Sequence, residues 1–167
     1  MNEIINELSN QILTFQSLGD YLLEFGVFEE DSWKRVRVTI LNADSTTNII
    51  DMSIGEIMYF TEYGTLTIPA KPILEIILGW VNNQLDLIID TIFDGVFNKN
   101  WTKKDIEEEL NIFIIRANTY IKGFVKTFDD NNFLSNLLGN NKELYNLIDL
   151  SKYINIKLIK KWKKFIN

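Results

Sequence analysis

The sequence predicts an α+β fold in a single domain, residues 1–167, in which a small antiparallel sheet packs with two long helices and shorter helices. Two stretches, about 72–97 and the one that follows Thr102, repeat apolar residues at helical spacing. Three shorter stretches alternate apolar and polar residues, as strands with one covered face do. The length of 167 residues is usual for one domain and suffices for a hydrophobic core.

The N-terminal quarter of the chain predicts one helix and two strands. Apolar residues at helical spacing predict an N-terminal helix within residues 1–19, regular over about 3–17. Alternation then predicts strands in Tyr21–Val27 and Val36–Ile40, each with one covered face. A turn at Asp31-Ser32 would connect these two strands.

Polar, capping and glycine residues mark the next loop and helix. Asn42 to Asn48 are polar and predict a loop. Ser53 followed by Glu56 is a capping-box pattern, which predicts a short helix from there to about Glu62. Gly64 fits the left-handed residue that follows a last helical turn.

Two prolines bracket the connection to the first long helix. Leu66-Thr67-Ile68 is predicted to be extended, because a residue before a proline such as Pro69 avoids the helical region. Pro72 fits the first turn of a helix over about 72–97, where its missing N–H leaves no bond unmade. Gly79 inside this helix predicts a bend or a close contact.

A second long helix and a last strand complete the predicted fold. Thr102 and Asp105 form another capping-box pattern at the start of this helix. Ile154–Leu158 alternates and predicts a third strand, more than a hundred residues after the second, so the sheet would close across nearly the whole chain. The apolar stripe of the helix consists of Ile106, Leu110, Phe113, Ala117, Tyr120 and Phe124.

The composition excludes many enzyme classes. The chain has neither cysteine nor histidine, so it cannot form disulfides, thiolate metal sites or a Ser-His-Asp triad. Asp86, Asp90 and Asp94 share a helix face, which we interpret as solvated rather than as a metal site. Neither a Gly-rich phosphate loop nor the spacing of a calcium loop is present. We therefore expect a protein that is not an enzyme, with no catalytic residue, no cofactor and no metal.

Charge is unevenly distributed along the chain. The net charge is −6, so specific nucleic-acid binding is not expected. Residues 1–31 contain acidic residues and no lysine or arginine, whereas residues 151–167 contain six lysines and no acid. The chain shows no basic signal region and no uncharged apolar run of about 20 residues. We expect a soluble protein that is made in a cytoplasm and has no membrane segment.

A basic arm, residues 160–167, combines Lys160 and Lys161 with Trp162 and Phe165. Such a pattern is compatible with a membrane-surface helix, a nucleic-acid contact or an arm docked on a partner protein. A frayed, solvated tail is the simplest alternative. Because two aromatic side chains do not suit a free tail, docking on a protein neighbour is the preferred interpretation.

The segment IMYFTEYGTLTIPAKPIL resembles one found in the neck or tail-completion proteins of long-tailed bacteriophages. In that family a helix ends in an aromatic residue and Gly-Thr, and Pro-Ala-Arg-Pro-Phe soon leads into a long helix. Tyr63-Gly64-Thr65 and Pro69-Ala70-Lys71-Pro72-Ile73 take these places here. A weaker match is Leu147-Ile148-Asp149, where Leu150-Ser151 replaces the family's Thr-Gly and the upstream proline is absent. The resemblance covers roughly residues 20–160.

This resemblance implies a virion protein of the head–tail junction, made in the cytoplasm of a host bacterium. Copies would form a homo-oligomeric ring, of six subunits by the same resemblance, that completes the tail or joins it to the head-closure connector. A tail-terminator or tail-tube protein would contact its other side, and genome DNA would pass through the lumen. The expected subunit interface consists of Tyr63, Gly64, Thr65, Pro69, Lys71, Pro72, Lys160, Lys161, Trp162 and Phe165.

The two prolines would favour assembly of such a ring for a physical reason. Pro69 and Pro72 restrict the free chain, which lowers the entropy lost when each copy orders its link. They could equally do no more than shape a connection between helices in the core. The acidic start and the basic end would suit head-to-tail contacts in a closed ring. The alternative from another class is a small membrane-surface-binding protein that acts through its basic, Trp-containing C-terminus.

Overall fold

A computed structural model of the chain describes residues 2–41, 47–64, 70, 72–130 and 150–161. These residues form an α+β structure, as predicted, in which helices predominate. Short 3-10 turns occupy Ser17–Asp20 and Leu150–Lys152. The helices and strands are α1 (Asn2–Gln16), β1 (Tyr21–Val27), α2 (Glu29–Ser32), β2 (Arg35–Leu41), β3 (Thr47–Ser53), α3 (Ile54–Tyr63), α4 (Ile73–Lys99), α5 (Lys103–Asp130) and β4 (Ile154–Lys160).

The strands of the described ranges pair two by two. The strands β2 and β3 form an antiparallel hairpin in which Arg35 faces Ser53 and Leu41 faces Thr47. Strand β1 pairs with β4, which confirms that strand pairing closes across nearly the whole chain. Strand β3 was not predicted, and the loop predicted over Asn42–Asn48 is wrong at Thr47 and Asn48, where β3 begins, while residues 42–46 lie outside the described residues. Asn48 and Asp51 are poor strand formers, and pairing with β2 outweighs that weak preference.

The connection between β1 and β2 also differs from expectation. Asp31-Ser32, predicted as a turn, belongs to the short helix α2. The N–H groups of Asp31 and Ser32 both donate to the carbonyl of Phe28 at 2.9 Å. Three consecutive acids, Glu29 to Asp31, lie in this first turn, where the positive helix end stabilises negative charge.

One compact unit contains residues 1–24, 79–117 and 156–167. Its core is formed by facing residues of α4 and α5, against which residues of α1, β1 and β4 pack. The Phe15 ring of α1 lies edge-on to Phe93, with centroids 5.6 Å apart, and also contacts Phe97. The buried centre consists of Ile92, Val96, Ile106 and Leu110, and the partly buried residues include Phe15, Leu18, Tyr21, Trp101 and Leu158.

The turn between α4 and α5 is held by a glycine and a tryptophan. Asn100 has a φ of 54°, in the left-handed region, and reverses the chain. The N–H of Trp101 then donates to the carbonyl of Gly95 at 3.0 Å, and the indole ring covers Gly95 so closely that a Cβ would overlap it. Gln11 of α1 donates to the side-chain oxygen of Asn100 at 2.9 Å. The close contact expected at Gly79 is instead at Gly95, and the space beside Gly79 is open.

The other compact unit contains residues 25–78 and 118–155. In its part of α5, the buried residues are Ile121 and Val125, whereas Tyr120 is exposed and stacks on Phe124 with centroids 6.1 Å apart. The predicted stripe is therefore wrong at Tyr120, and Phe124 is only half-buried, because the buried face continues from Ala117 in steps of four. The other buried apolar residues are Ile54, Ile57, Met58, Ile73, Ile77, Leu150 and Ile154.

Three side chains from β1, α5 and β4 form a charged cluster in the first unit. One carboxylate oxygen of Glu107 accepts bonds from the Tyr21 hydroxyl at 3.0 Å and from the Lys160 ammonium at 3.1 Å. The ammonium also lies 5.5 Å from the centroid of the Tyr21 ring. The bonds from Lys160 and then from Tyr21 lower the pKa of the Glu107 carboxyl below its ordinary value.

We expect Glu107 to make the free energy of unfolding depend on pH in the acidic range. Because its folded pKa is depressed, its contribution is present above the ordinary glutamate pKa and is lost as the pH falls through the folded value. Glu107→Gln should therefore destabilise the protein at neutral pH and progressively less in acid, as measured by urea unfolding across that range. Glu108→Gln, which neutralises an exposed neighbour, is the control. A deficit for Glu107→Gln that stays constant with pH would contradict the assignment.

Candidate functional site

The helix α3 begins with the predicted capping box. The Ser53 hydroxyl accepts from the N–H of Glu56 at 3.1 Å, and the Glu56 carboxylate accepts from the N–H of Ser53 at 2.7 Å. The bond from the Ser53 N–H lowers the pKa of Glu56. The N–H of Ile54 donates to the carbonyl of Lys34 at 2.9 Å, so the start of α3 is also bonded to the chain just before β2.

The helix α3 ends at Gly64. Its N–H donates to the carbonyl of Phe60 at 2.9 Å, and its φ of 72° is positive, but Gly64 does not adopt the left-handed helical conformation predicted for it. Its ψ of −171° lies far from the left-handed helical value and places Gly64 in a region that only glycine adopts readily. The helical backbone of α3 therefore stops at a residue where a Cβ would be strained.

Glu62 bonds the last turn of α3 to the first turn of α4. Its two carboxylate oxygens accept from the N–H groups of Leu74 at 3.0 Å and Glu75 at 3.1 Å. These N–H groups lack partners within the helix, and the positive helix end favours a negative charge beside them. We call this contact the Glu62 clamp. It fixes both ends of the link, residues 64–72, relative to each other.

Sequence reasoning missed the Glu62 clamp. The sequence does contain one indication of it, because no capping residue precedes α4. The two residues before Ile73 are Lys71 and Pro72, and neither has a side-chain acceptor that could cap the helix. The N–H groups of that first turn therefore need an acceptor from elsewhere. The carbonyl of Pro72 accepts the first helical bond, from Ile76 at 3.1 Å, which agrees with the predicted helix start within one residue.

An aromatic patch, Tyr59, Phe60 and Tyr63, lies on the outer face of α3. The rings of Tyr59 and Tyr63 are 4.9 Å apart between centroids, and those of Tyr59 and Phe60 are 5.9 Å apart. Tyr63 is 69% exposed and Tyr59 60% exposed, whereas Ile57 and Met58 on the inner face are buried. Adjacent exposed aromatic residues are typical of protein–protein contact surfaces, where aromatic side chains are enriched.

The structure locates some of the predicted interface residues. Tyr63, Gly64 and Pro72 lie at the two ends of the link, brought together by the Glu62 clamp. Lys160 and Lys161 belong to the other unit, where Lys160 contacts Glu107 and the N–H of Lys161 donates to the carbonyl of Asp20 at 2.6 Å. The remaining predicted interface residues, which lie outside the described residues, are Thr65, Pro69, Lys71, Trp162 and Phe165.

The acidic row of α4 has the surroundings of a solvated face. Asp86 and Asp90 are exposed, and Asp94 pairs with Lys99 at 2.6 Å and accepts from Asn98 at 2.8 Å. The bond from Lys99, followed by that from Asn98, lowers the pKa of Asp94. Across the described ranges, no group of three acidic side chains is placed to hold a metal ion. None of the helices in those ranges has the length and apolarity needed to span a bilayer.

We expect Gly64→Ala to destabilise the protein by about 1–3 kcal/mol, because a Cβ is strained at this φ and ψ. Denaturant unfolding measures the change. Gly79→Ala is the matched control: Gly79 lies inside α4 beside open space, so alanine should stabilise by about 1 kcal/mol through helix propensity. Equal effects at both positions would show that the backbone at Gly64 is not restricted.

We expect Glu62→Ala to destabilise the protein by about 0.5–2 kcal/mol, the usual range for loss of a helix cap. The amides of Leu74 and Glu75 should then exchange with solvent faster in NMR spectra, because they lose their acceptor. Glu75→Ala removes an acid from the same helical turn without breaking the clamp and serves as the control. Unchanged exchange at both amides in Glu62→Ala would rule out the clamp.

Comparison with known proteins assigns no family to this chain. No protein-family model, no curated protein and no solved structure matches it. The resemblance in the link and the geometry of the aromatic patch are therefore the observations from which a function can be inferred.

Proposed function

We propose that this protein is a structural subunit of the head–tail junction of a long-tailed bacteriophage. Copies of it associate side by side into a ring that completes the tail or joins it to the head connector. The resemblance of the Tyr63–Ile73 segment to neck and tail-completion proteins supplies the class. The virion is the location that follows from this proposal.

The observation that carries the proposal is an exposed aromatic patch beside a link whose two ends are fixed. The patch presents adjoining, mutually tilted aromatic rings to solvent, and aromatic side chains of this kind often dominate the binding energy of an interface. The capping box and the Glu62 clamp hold α3 at both ends. Little conformational entropy of α3 then remains to be lost on association, and this smaller entropy loss applies to every subunit of the ring.

The expected contacts follow from ring geometry. A closed ring is built from heterologous contacts, in which one surface of a subunit meets a different surface of the next. We assign the aromatic patch and the link to one of these surfaces. The layers above and below would be a head-closure or connector protein and a tail-terminator or tail-tube protein.

The composition agrees with a structural role. Without cysteine or histidine, the chain cannot supply a cysteine nucleophile, a Ser-His-Asp triad or a histidine metal ligand, and we propose no catalytic activity. The net charge of −6 would let genome DNA pass through the lumen without being held there by a general attraction.

We expect particles made without this protein to separate into unjoined heads and tails, or to carry tails of faulty length, in electron micrographs. Supplying the wild-type chain should restore joined, infectious particles. A chain with Tyr59→Ser and Tyr63→Ser should fail to restore them, because the contact between neighbouring subunits loses two aromatic side chains. Ile49→Thr is the matched control: Ile49 is equally exposed, but it lies on β3, and this variant should restore particles.

Unfolding curves of the purified variants separate lost contact from lost fold, since both serine substitutions are at exposed positions. Normal infectious particles without the protein would overturn the proposal. Binding of the full-length chain to anionic vesicles, lost on Lys163→Glu and Lys164→Glu, would instead favour the membrane-surface alternative.

A further inference from the structure

The helix α1 has an apolar face that is largely uncovered. Ile5, Leu8 and Ile12 follow one another at steps of three and four, so they share one side of the helix, and all three are exposed. The same stripe continues to Phe15, which is partly buried against Phe93 and Phe97. The helix is therefore held at its C-terminal end, while the rest of its apolar face lacks a cover among the described residues.

The basic arm begins near the C-terminal end of α1. The N–H of Lys161 donates to the carbonyl of Asp20, four residues after the end of α1, and both lie in the same compact unit. Six residues follow Lys161, with the sequence WKKFIN. An extended segment of this length spans roughly 20 Å, and the 15-residue helix α1 is about 22 Å long. The segment can therefore reach Ile12 and Leu8 from its starting point at Asp20.

Composition and charge also match. Trp162, Phe165 and Ile166 offer apolar side chains for the exposed stripe, and Lys163 and Lys164 offer positive charge. The helix carries Glu3 and Glu7 and has no positive side chain of its own. A segment attached to the same unit is also present at a high effective concentration, so even a modest attraction would keep it bound.

We propose that residues 162–167 dock on the exposed apolar face of α1 of the same chain, with Trp162 and Phe165 covering Leu8 and Ile12. This occupancy places the two aromatic residues within one subunit, whereas the interface expected from the sequence places them between subunits. The inference is independent of the proposed function, because it concerns the isolated chain and a different unit from that of the aromatic patch.

Hydrogen exchange of the full-length chain, followed by mass spectrometry, tests the docking from both sides. With Trp162→Ser and Phe165→Ser together, the amides of α1 should exchange about tenfold faster or more, because burial of two large aromatic side chains is lost. Trp33→Ser, which removes an exposed tryptophan from the other unit, should leave α1 unchanged.

The reciprocal comparison uses two leucines of α1. Leu8, 50% exposed, lies on the apolar stripe, and Leu13, 61% exposed, lies about 140° around the helix from it. Leu8→Ser should speed exchange in residues 162–167, and Leu13→Ser should not. Both substitutions exchange a leucine for a serine in the same helix, so any general loss of helicity affects them alike.

Protection of α1 should also stay constant on dilution, because the contact lies within one chain. Unchanged α1 exchange in the Trp162 and Phe165 variant would overturn the proposal. Protection that disappears on dilution would overturn it as well and would assign the arm to a second copy.

Discussion

The Glu62 clamp is the contact on which the geometry of the candidate site depends. Its carboxylate satisfies two N–H groups at the start of α4, in a place where no neighbouring side chain can do so. The end of α3 and the start of α4, which the link separates in sequence, are thereby bonded to each other. The aromatic patch lies one turn or less from Glu62 along α3, so its position relative to α4 is fixed by the same bond.

The two compact units use different means to hold their elements. In the second unit, α3 is fixed by polar contacts at both ends: the capping box, the bond between Ile54 and Lys34, and the clamp. In the first unit, the α4–α5 turn is fixed by packing of Trp101 on Gly95, and β1 and β4 meet at the Glu107 cluster. The exposed aromatic patch lies on α3, the helix that these polar contacts hold at both ends.

The sequence predicted features that depend on neighbouring residues and missed those that depend on distant ones. Both capping boxes and the positive φ of Gly64 follow from local patterns, and the structure confirms the box at Ser53 and the bonds from Thr102 to Asp105. The strand β3 was missed because Asn48 and Asp51, which are poor strand formers, interrupt its apolar residues, and pairing with β2 decides its conformation. The clamp was missed because it joins residues twelve and thirteen positions apart, and no local spacing encodes that.

The pairing of β1 with β4 has a consequence for how the chain is made. During synthesis, β1 leaves the ribosome more than a hundred residues before β4, and until then its hydrogen-bonding edge has no strand of its own sheet to pair with. Contacts of such long sequence separation form late, since a large loop must close before they stabilise anything. A nascent chain is therefore open to pairing with other edges during this interval, and its first unit is completed only when β4 has been translated.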